Sequence, residues 1–356
     1  MSLPTAIGQP AAERTSISVQ NRRPIALWLL FCCGAIFVMV VIGGITRLTL
    51  SGLSITEWQP VTGIVPPLST VDWAAEFGKY RQIPQYHLLN AGMSLDEFKT
   101  IYWWEYVHRL WGRLIGFAYL LPFLYFLARR RIPRSLVMPL GGIFALGAAQ
   151  GALGWYMVES GLADRVEVSQ YRLVAHLVLA LAIYSLTLWI GLGLLADRSR
   201  VTIASIWRRA VEAIIGLVAL TIAAGGFVAG LNAGLTYNTF PLMDGSLVPA
   251  GYAQLQPFIR NWFENVPAVQ FDHRLLAMTT GSAVLLLWLA GRRAALPHLA
   301  QLALHVLLAA VALQFALGVS TLLLVVPIPL AAAHQAGAVL LLTTAIVLRH
   351  TLRAAG

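Results

Sequence analysis

Apolar residues in this chain come in long unbroken runs, not in the stripes of a water-facing helix or the alternation of a half-buried strand. Eight runs, at about 25–46, 105–128, 136–158, 171–195, 209–231, 269–290, 299–326 and 328–350, are each long enough to cross a hydrocarbon layer of ~30 Å as a helix. None alternates in ten-residue strands as a closed barrel would. The pattern predicts an all-α membrane protein with eight transmembrane helices. Composition agrees: 58% of the 356 residues are hydrophobic and 11% charged, against roughly 25% charged in a soluble domain.

A net charge of +10 would suit nucleic acid if it were spread over a surface, but it is not. Arg14, Arg22 and Arg23 precede the first run, and Arg129, Arg130, Arg131 and Arg134 separate the second and third. Arg198, Arg200, Arg208 and Arg209 separate the fourth and fifth, Arg292 and Arg293 the sixth and seventh, and Arg349 and Arg353 follow the eighth. These make up 15 of the 25 basic residues, and they share their side with only Glu13, Asp197 and Glu212. Short Arg-rich loops stay cytoplasmic, so both termini are expected inside and residues 1–24 form a cytoplasmic tail. The charge is a topology signal, and no nucleic-acid partner is expected. Cys32 and Cys33 are adjacent on one helix, where neighbours diverge and do not pair, so they read as small packing residues.

The two halves of the chain repeat each other. Gly43-Gly44 near the end of the first run matches Gly225-Gly226 in the fifth. Glu105-Tyr106-Val107-His108-Arg109-Leu110 matches Gln270-Phe271-Asp272-His273-Arg274-Leu275. Gln150-Gly151-Ala152-Leu153-Gly154 matches Gln314-Phe315-Ala316-Leu317-Gly318, and Ala175-His176 matches Ala333-His334. From His108 to Gln150 is 42 residues, and from His273 to Gln314 is 41. Four helices per unit preserve orientation, so the expectation is two similar four-helix bundles, 25–197 and 198–356, related by an axis along the membrane normal. Long outer loops follow the first and fifth runs. The first carries Trp58, Trp73, Tyr80, Tyr86, Tyr102, Trp103 and Trp104, which reads as an interfacial aromatic belt or as a lid over a lipid-like substrate.

Four of the eight histidines, His108, His176, His273 and His334, each lie just inside the outward end of an even-numbered run. Ionisable residues inside a membrane are expensive and mark functional sites. Zinc usually takes three or four protein ligands, whereas heme takes two axial imidazoles on opposite faces of a flat ring. One pair per half, His108/His176 and His273/His334, therefore predicts one heme in each bundle. Arg109 and Arg274 follow their histidines and are placed either to pair with heme propionates or to snorkel to headgroups. Glu105 lies on the same helix face as His108, while the matching position holds Gln270, which exchanges no proton. Glu105 is thus a candidate proton acceptor, its structural alternative being a partner for an imidazole or an arginine. One half with an acid and one without suggests that one site reacts and the other conducts electrons. His87, His298, His305 and His350 have no repeat partners and no assigned role.

With these residues in view, the chain resembles the heme A synthase family from the first run to the eighth. The segments that carry the likeness are Gly43-Gly44-Ile45-Thr46-Arg47-Leu48, Ser51-Gly52-Leu53-Ser54, Trp58, Pro66-Pro67, Glu105 through Arg113, Asn238-Thr239-Phe240-Pro241-Leu242-Met243, and Asp272-His273-Arg274. Glu76-Phe77-Gly78-Lys79-Tyr80 and Met93 through Lys99 look like the mitochondrial and α-proteobacterial branch. Other bacterial members have a cysteine pair in the outer loop, which this chain lacks. The resemblance implies oxidation of the C8 methyl of heme O to a formyl group, giving heme A for cytochrome oxidase. It implies heme b on His273 and His334, substrate heme O on His108 and His176, and Glu105 as the acid beside the reacting heme. Family context adds the enzyme that makes heme O and an unidentified redox partner; a homo-oligomer is compatible. The location implied is the bacterial inner membrane, with the heme sites toward the periplasm. A diheme b-type electron carrier is the alternative, but its hemes would lie at opposite depths, and all four histidines here share one leaflet. A repeat-built transporter would need helices broken near mid-depth.

Overall fold

The computed structural model describes residues 22–59, 63–162, 166–195 and 204–353. Most of the expected tail, residues 1–21, lies outside the described residues, as do Asp197, Arg198 and Arg200. Eight helices are long and apolar enough to span a membrane: α1 Arg22–Leu48, α2 Leu95–Ala128, α3 Arg134–Leu162, α4 Gln170–Leu195, α5 Ser205–Gly230, α6 Val266–Gly291, α7 His298–Leu323 and α8 Ile328–Thr351. Among the described residues there is no strand, only an isolated bridge between Met243 and Ser246. The chain is a multi-pass membrane protein.

The helix ends follow local chemistry. α2 begins at Leu95, ten residues before the apolar run, because Ser94 and Glu97 close a capping box that satisfies its first free N–H groups. At ~1.5 Å per residue its 34 residues reach roughly 51 Å, well beyond a ~30 Å hydrocarbon core. Its first turns therefore stand above the membrane. Pro267 and Pro329 start α6 and α8, where a missing N–H has no cost. Val325 and Val326, at φ 59° and 57°, turn the chain tightly from α7 into α8.

The helices form two four-helix bundles. In the first, α1 and α3 each pack on α2 and α4; in the second, α5 and α7 each pack on α6 and α8. Across the seam α4 meets α5, α1 meets α8, and α4 meets α8. Exchanging the two bundles reproduces this set of contacts, as a two-fold axis requires. Backbones approach closely there: Gly44 lies against Gln335 of α8, and its counterpart Gly226 against Val174 and Leu177 of α4. Arg47 donates to the Ala229 carbonyl and to Asn232 Oδ1 (2.6 Å), and Asn232 bonds Glu167 (2.7 Å), which ties the outer end of the seam.

One apolar core runs through both bundles and includes Cys32 and Cys33, buried and unpaired. It stops short of the outer ends. Its outermost fully buried members are Val40, Tyr119, Ile143 and Leu181 in the first bundle, and Val218, Val284, Val311 and Val339 in the second. All lie inward of the histidine level. Large apolar side chains such as Phe31, Leu121, Leu286 and Leu299 are more than half exposed on the outside, as lipid-facing residues should be.

The first outer loop is more than an aromatic belt. It folds helices Thr70–Tyr80 and Pro84–Leu89 over the top of α2. Tyr80, Phe98, Tyr102 and Tyr106 are buried there with Leu53 and Ile83 in a second small core, and Trp73 and Tyr86 pack against it. Trp58 and Trp103 remain exposed. Composition alone does not separate a belt from such a core, because aromatic rings serve both.

Candidate functional site

Each of the four predicted histidines rests on a glycine of a neighbouring helix. A Cβ on Gly43 would lie 3.4 Å from His108 Nε2, and one on Gly154 3.0 Å from His176 Cε1. In the second bundle a Cβ on Gly225 would lie 2.9 Å from His273 Cε1, and one on Gly318 2.8 Å from His334 Cε1. The four glycines occupy matching positions of the repeat. Gln150 Nε2 donates to the His176 carbonyl at 2.9 Å, and its counterpart Gln314 to the His334 carbonyl at 3.0 Å. His273 Nδ1 bonds the Thr221 carbonyl at 3.1 Å. The sequence reading used these glycines and glutamines as landmarks and missed that they seat the imidazoles.

His108 on α2 and His176 on α4 belong to the first bundle, and His273 on α6 and His334 on α8 to the second. Among the described residues no group of three or more His, Cys, Asp or Glu gathers as a bare-ion site would require. Two imidazoles per bundle, an apolar core whose buried members stop inward of their level, and Nδ1 atoms on His176 and His334 buried without hydrogen bonds among the described residues fit a flat, two-ligand prosthetic group.

Glu105 is only 2% exposed and is fully engaged. Its Oε2 accepts from Ser54 Oγ (2.8 Å) and the Ile55 N–H (2.7 Å), and its Oε1 from Arg109 Nε (3.0 Å) and Nη2 (2.6 Å). Arg109 also donates to the carbonyls of Ile55 (2.7 Å) and Glu57 (2.9 Å). The pair thus fastens residues 54–57 to α2. The second bundle copies the device without the charge. Gln270 Nε2 donates to the carbonyls of Ala233 (2.9 Å) and Thr236 (2.6 Å), and Arg274 to those of Tyr237 (2.6 Å) and Thr239 (2.8 Å). The correspondence extends into the loops: Leu50 and Asn232, both left-handed at φ 54° and 52°, occupy equivalent places. Asp272 accepts from the Tyr252 hydroxyl at 2.9 Å.

A guanidinium has five N–H donors. Arg109 makes four hydrogen bonds here and Arg274 three, with Arg274 Nε buried and unpartnered among the described residues. A separate cavity of about 310 Å³ lies under the first outer loop, with Arg109, Arg113, Tyr102 and Tyr106 of α2 on one wall and no histidine in its lining. Of the remaining histidines, His305 bonds its own helix at the Gln301 carbonyl, and His350 packs on Trp189.

Fold and site together define a class: a two-bundle helical membrane protein with a repeat-related histidine pair in each bundle. A family model described as cytochrome oxidase assembly protein matches residues 26–346. A heme A synthase of Nitrosospira multiformis is 54% identical over 344 residues, covering 96% of this chain and 97% of its own length. One of Nitrosomonas eutropha is 52% identical over 92% of this chain and 93% of its length, and one of Granulibacter bethesdensis 52% identical over 95% and 89%. The chain belongs to the heme A synthase family of cytochrome oxidase assembly proteins.

Proposed function

We propose that this chain is an oxidoreductase of heme biosynthesis that converts heme O to heme A by oxidising the C8 methyl to a formyl group. The relatives support this reading, and they give no support to a diheme electron carrier. The first bundle takes substrate heme O on His108 and His176, and the second holds heme b on His273 and His334. Bound there, heme b supplies a one-electron redox centre. Turning a methyl into a formyl group adds one oxygen and removes two hydrogens from that carbon. With water as the source of that oxygen this is a four-electron oxidation, so four electrons leave through a redox partner and four protons through a base.

Glu105 is that base. The observation that carries the assignment is the pairing of Glu105 with Gln270. The second bundle fastens its outer loop with a neutral amide, so fastening alone does not require a carboxylate. A buried charge in a membrane protein is retained for a use that a neutral group does not serve. Arg109 Nη2, 2.6 Å from Oε1, orients the carboxylate toward the loop, and Ser54 Oγ at 2.8 Å offers the proton a way outward. The N–H groups that Arg109 and Arg274 leave unused would serve heme propionates, with Arg274 Nε, buried and unpartnered among the described residues, the clearest donor. The asymmetric distribution of arginine supports cytoplasmic termini, placing both sites toward the periplasmic side of a bacterial inner membrane. Heme O then arrives from the synthase that makes it, through the lipid.

The test is extraction and chromatography of the hemes bound to protein purified from cells that also make heme O. Heme A or its hydroxylated precursor alongside heme b is the expected result. Heme b alone, with no formyl heme in the membranes, would overturn the reading.

A further inference from the structure

The four imidazole seats share a plan but not a strength, and the clearest difference lies between the counterparts His273 and His108. In the second bundle, Gly225 lets the His273 ring lie so close to α5 that Nδ1 reaches the carbonyl of Thr221, one turn back, at 3.1 Å. Gly318 seats His334 as closely, a Cβ there lying 2.8 Å from its Cε1, but the His334 Nδ1 is buried without a partner among the described residues. In the first bundle the same places hold Gly154 with Gln150 and Gly43 with Met39, and among the described residues no hydrogen bond forms to a ring nitrogen of His108 or His176. His176 Nδ1, like that of His334, is buried without a partner among the described residues. His108 is turned so that Nε2, not Cε1, is nearest its glycine, and at 3.4 Å it is in ordinary contact instead of pressed against it.

A hydrogen bond from Nδ1–H to a carbonyl fixes the tautomer, holds the ring in place and makes Nε2 a stronger ligand. A ring already held pays less to bind, because its freedom is lost before the group arrives. A ring without that bond binds more weakly and turns away more easily. The reaction needs both behaviours: a redox centre that stays, and a substrate that leaves as product.

We propose that Gly154, Gly225 and Gly318 are positioning residues, and that the carbonyl-pinned His273 makes the second bundle the resident heme site while the seats of the first, neither of them pinned, let its heme go. His108, on the loosest seat, is the imidazole that yields first. This rests on the division of labour proposed above and supplies its physical cause.

The test follows transfer of heme from the holoprotein in detergent to excess apomyoglobin. Wild type should release its hemes in two phases differing by roughly tenfold or more, the scale of one hydrogen bond to a ligand. His334→Ala should lack the slow phase, which assigns it to the second bundle. Gly225→Ala puts a methyl 2.9 Å from the His273 ring, so the slow phase should accelerate roughly tenfold and the low-spin EPR g values of that heme should shift. Gly216→Ala, on the same helix with open space around it, should change neither. Equal release of both hemes by wild type would overturn the proposal, and so would a folded Gly225→Ala protein with unaltered slow phase and EPR signal. If Gly225→Ala fails to fold, the wild-type phases still decide. Extracting the heme that leaves first separates the two readings. Protoheme with no farnesylated heme in that phase would sink the substrate assignment, while the rates alone judge the seats.

Discussion

At the outer end of α2, Glu105 and Arg109 fasten residues 54–57; at the outer end of α6, Gln270 and Arg274 fasten residues 233–239. Both arginines reach two carbonyls spaced two residues apart. The difference lies in the partner. The carboxylate of Glu105 faces donors, the Ser54 hydroxyl and the Ile55 N–H, whereas the amide of Gln270 faces acceptors, the carbonyls of Ala233 and Thr236. Each loop is built for the group it meets. A repeat that began as one unit has therefore kept its scaffold in both bundles and a buried charge in only one. What differs between duplicated sites is a better guide to chemistry than what they share.

The largest effect that would break this comparison is on turnover. Glu105→Gln gives the first bundle the side chain of the second, and it should lower heme A formation by about 10²–10⁴-fold, the usual worth of a general base. The heme b spectrum should be retained; an unchanged rate of product formation would remove Glu105 from the chemistry. Some loss of stability is expected as well, because the new amide would leave the Ile55 N–H short of an acceptor.

Next come the arginines. Arg109→Ala strands a buried carboxylate and should cost about 3–5 kcal/mol of stability. Arg274→Ala frees only a neutral amide and two carbonyls and should cost about 1–3 kcal/mol. Denaturation in detergent measures both, and equal losses would mean that the charge at Glu105 adds nothing to the latch. Gln270→Glu should destabilise by about 1–3 kcal/mol, because a carboxylate would face two carbonyls, and it should yield no extra product. A gain of activity in that variant would show that the second bundle can also react. Smallest is Ser54→Ala, which removes one of four hydrogen bonds to Glu105 and should cost about 1 kcal/mol. A loss of turnover in Ser54→Ala far beyond that loss of stability would identify the hydroxyl as the proton's way out.

Much of this was legible before any coordinates. Eight apolar runs became eight helices because length and hydropathy suffice to place a span in lipid. The proposal that His108 pairs with His176 and His273 with His334 rests on their matching places in the repeat. The rest depends on how loops travel. Nothing in the spacing of Ser54 and Glu105 says that the chain returns to lay the Ile55 N–H on the carboxylate. Ser94 and Glu97 spell a capping box in plain letters, yet the apolar pattern draws the start of α2 ten residues too late. Tyr80 and Tyr102 read as membrane anchors and are instead packed inside the outer domain. The arginines beside the histidines read as partners of propionates or headgroups, whereas four of their seven hydrogen bonds hold loop carbonyls. Gly43, Gly154, Gly225 and Gly318 were visible as repeated letters. Their purpose emerged only when each was found beneath an imidazole.

The central claim is that the first bundle carries the chemistry and the second the resident heme. It is tested most directly by purifying His176→Ala and His334→Ala from cells that make heme O and identifying the heme each retains. The account predicts that His176→Ala keeps heme b and loses the farnesylated heme, while His334→Ala loses heme b. The reverse pattern, or loss of both hemes from a folded protein in either variant alone, would contradict it.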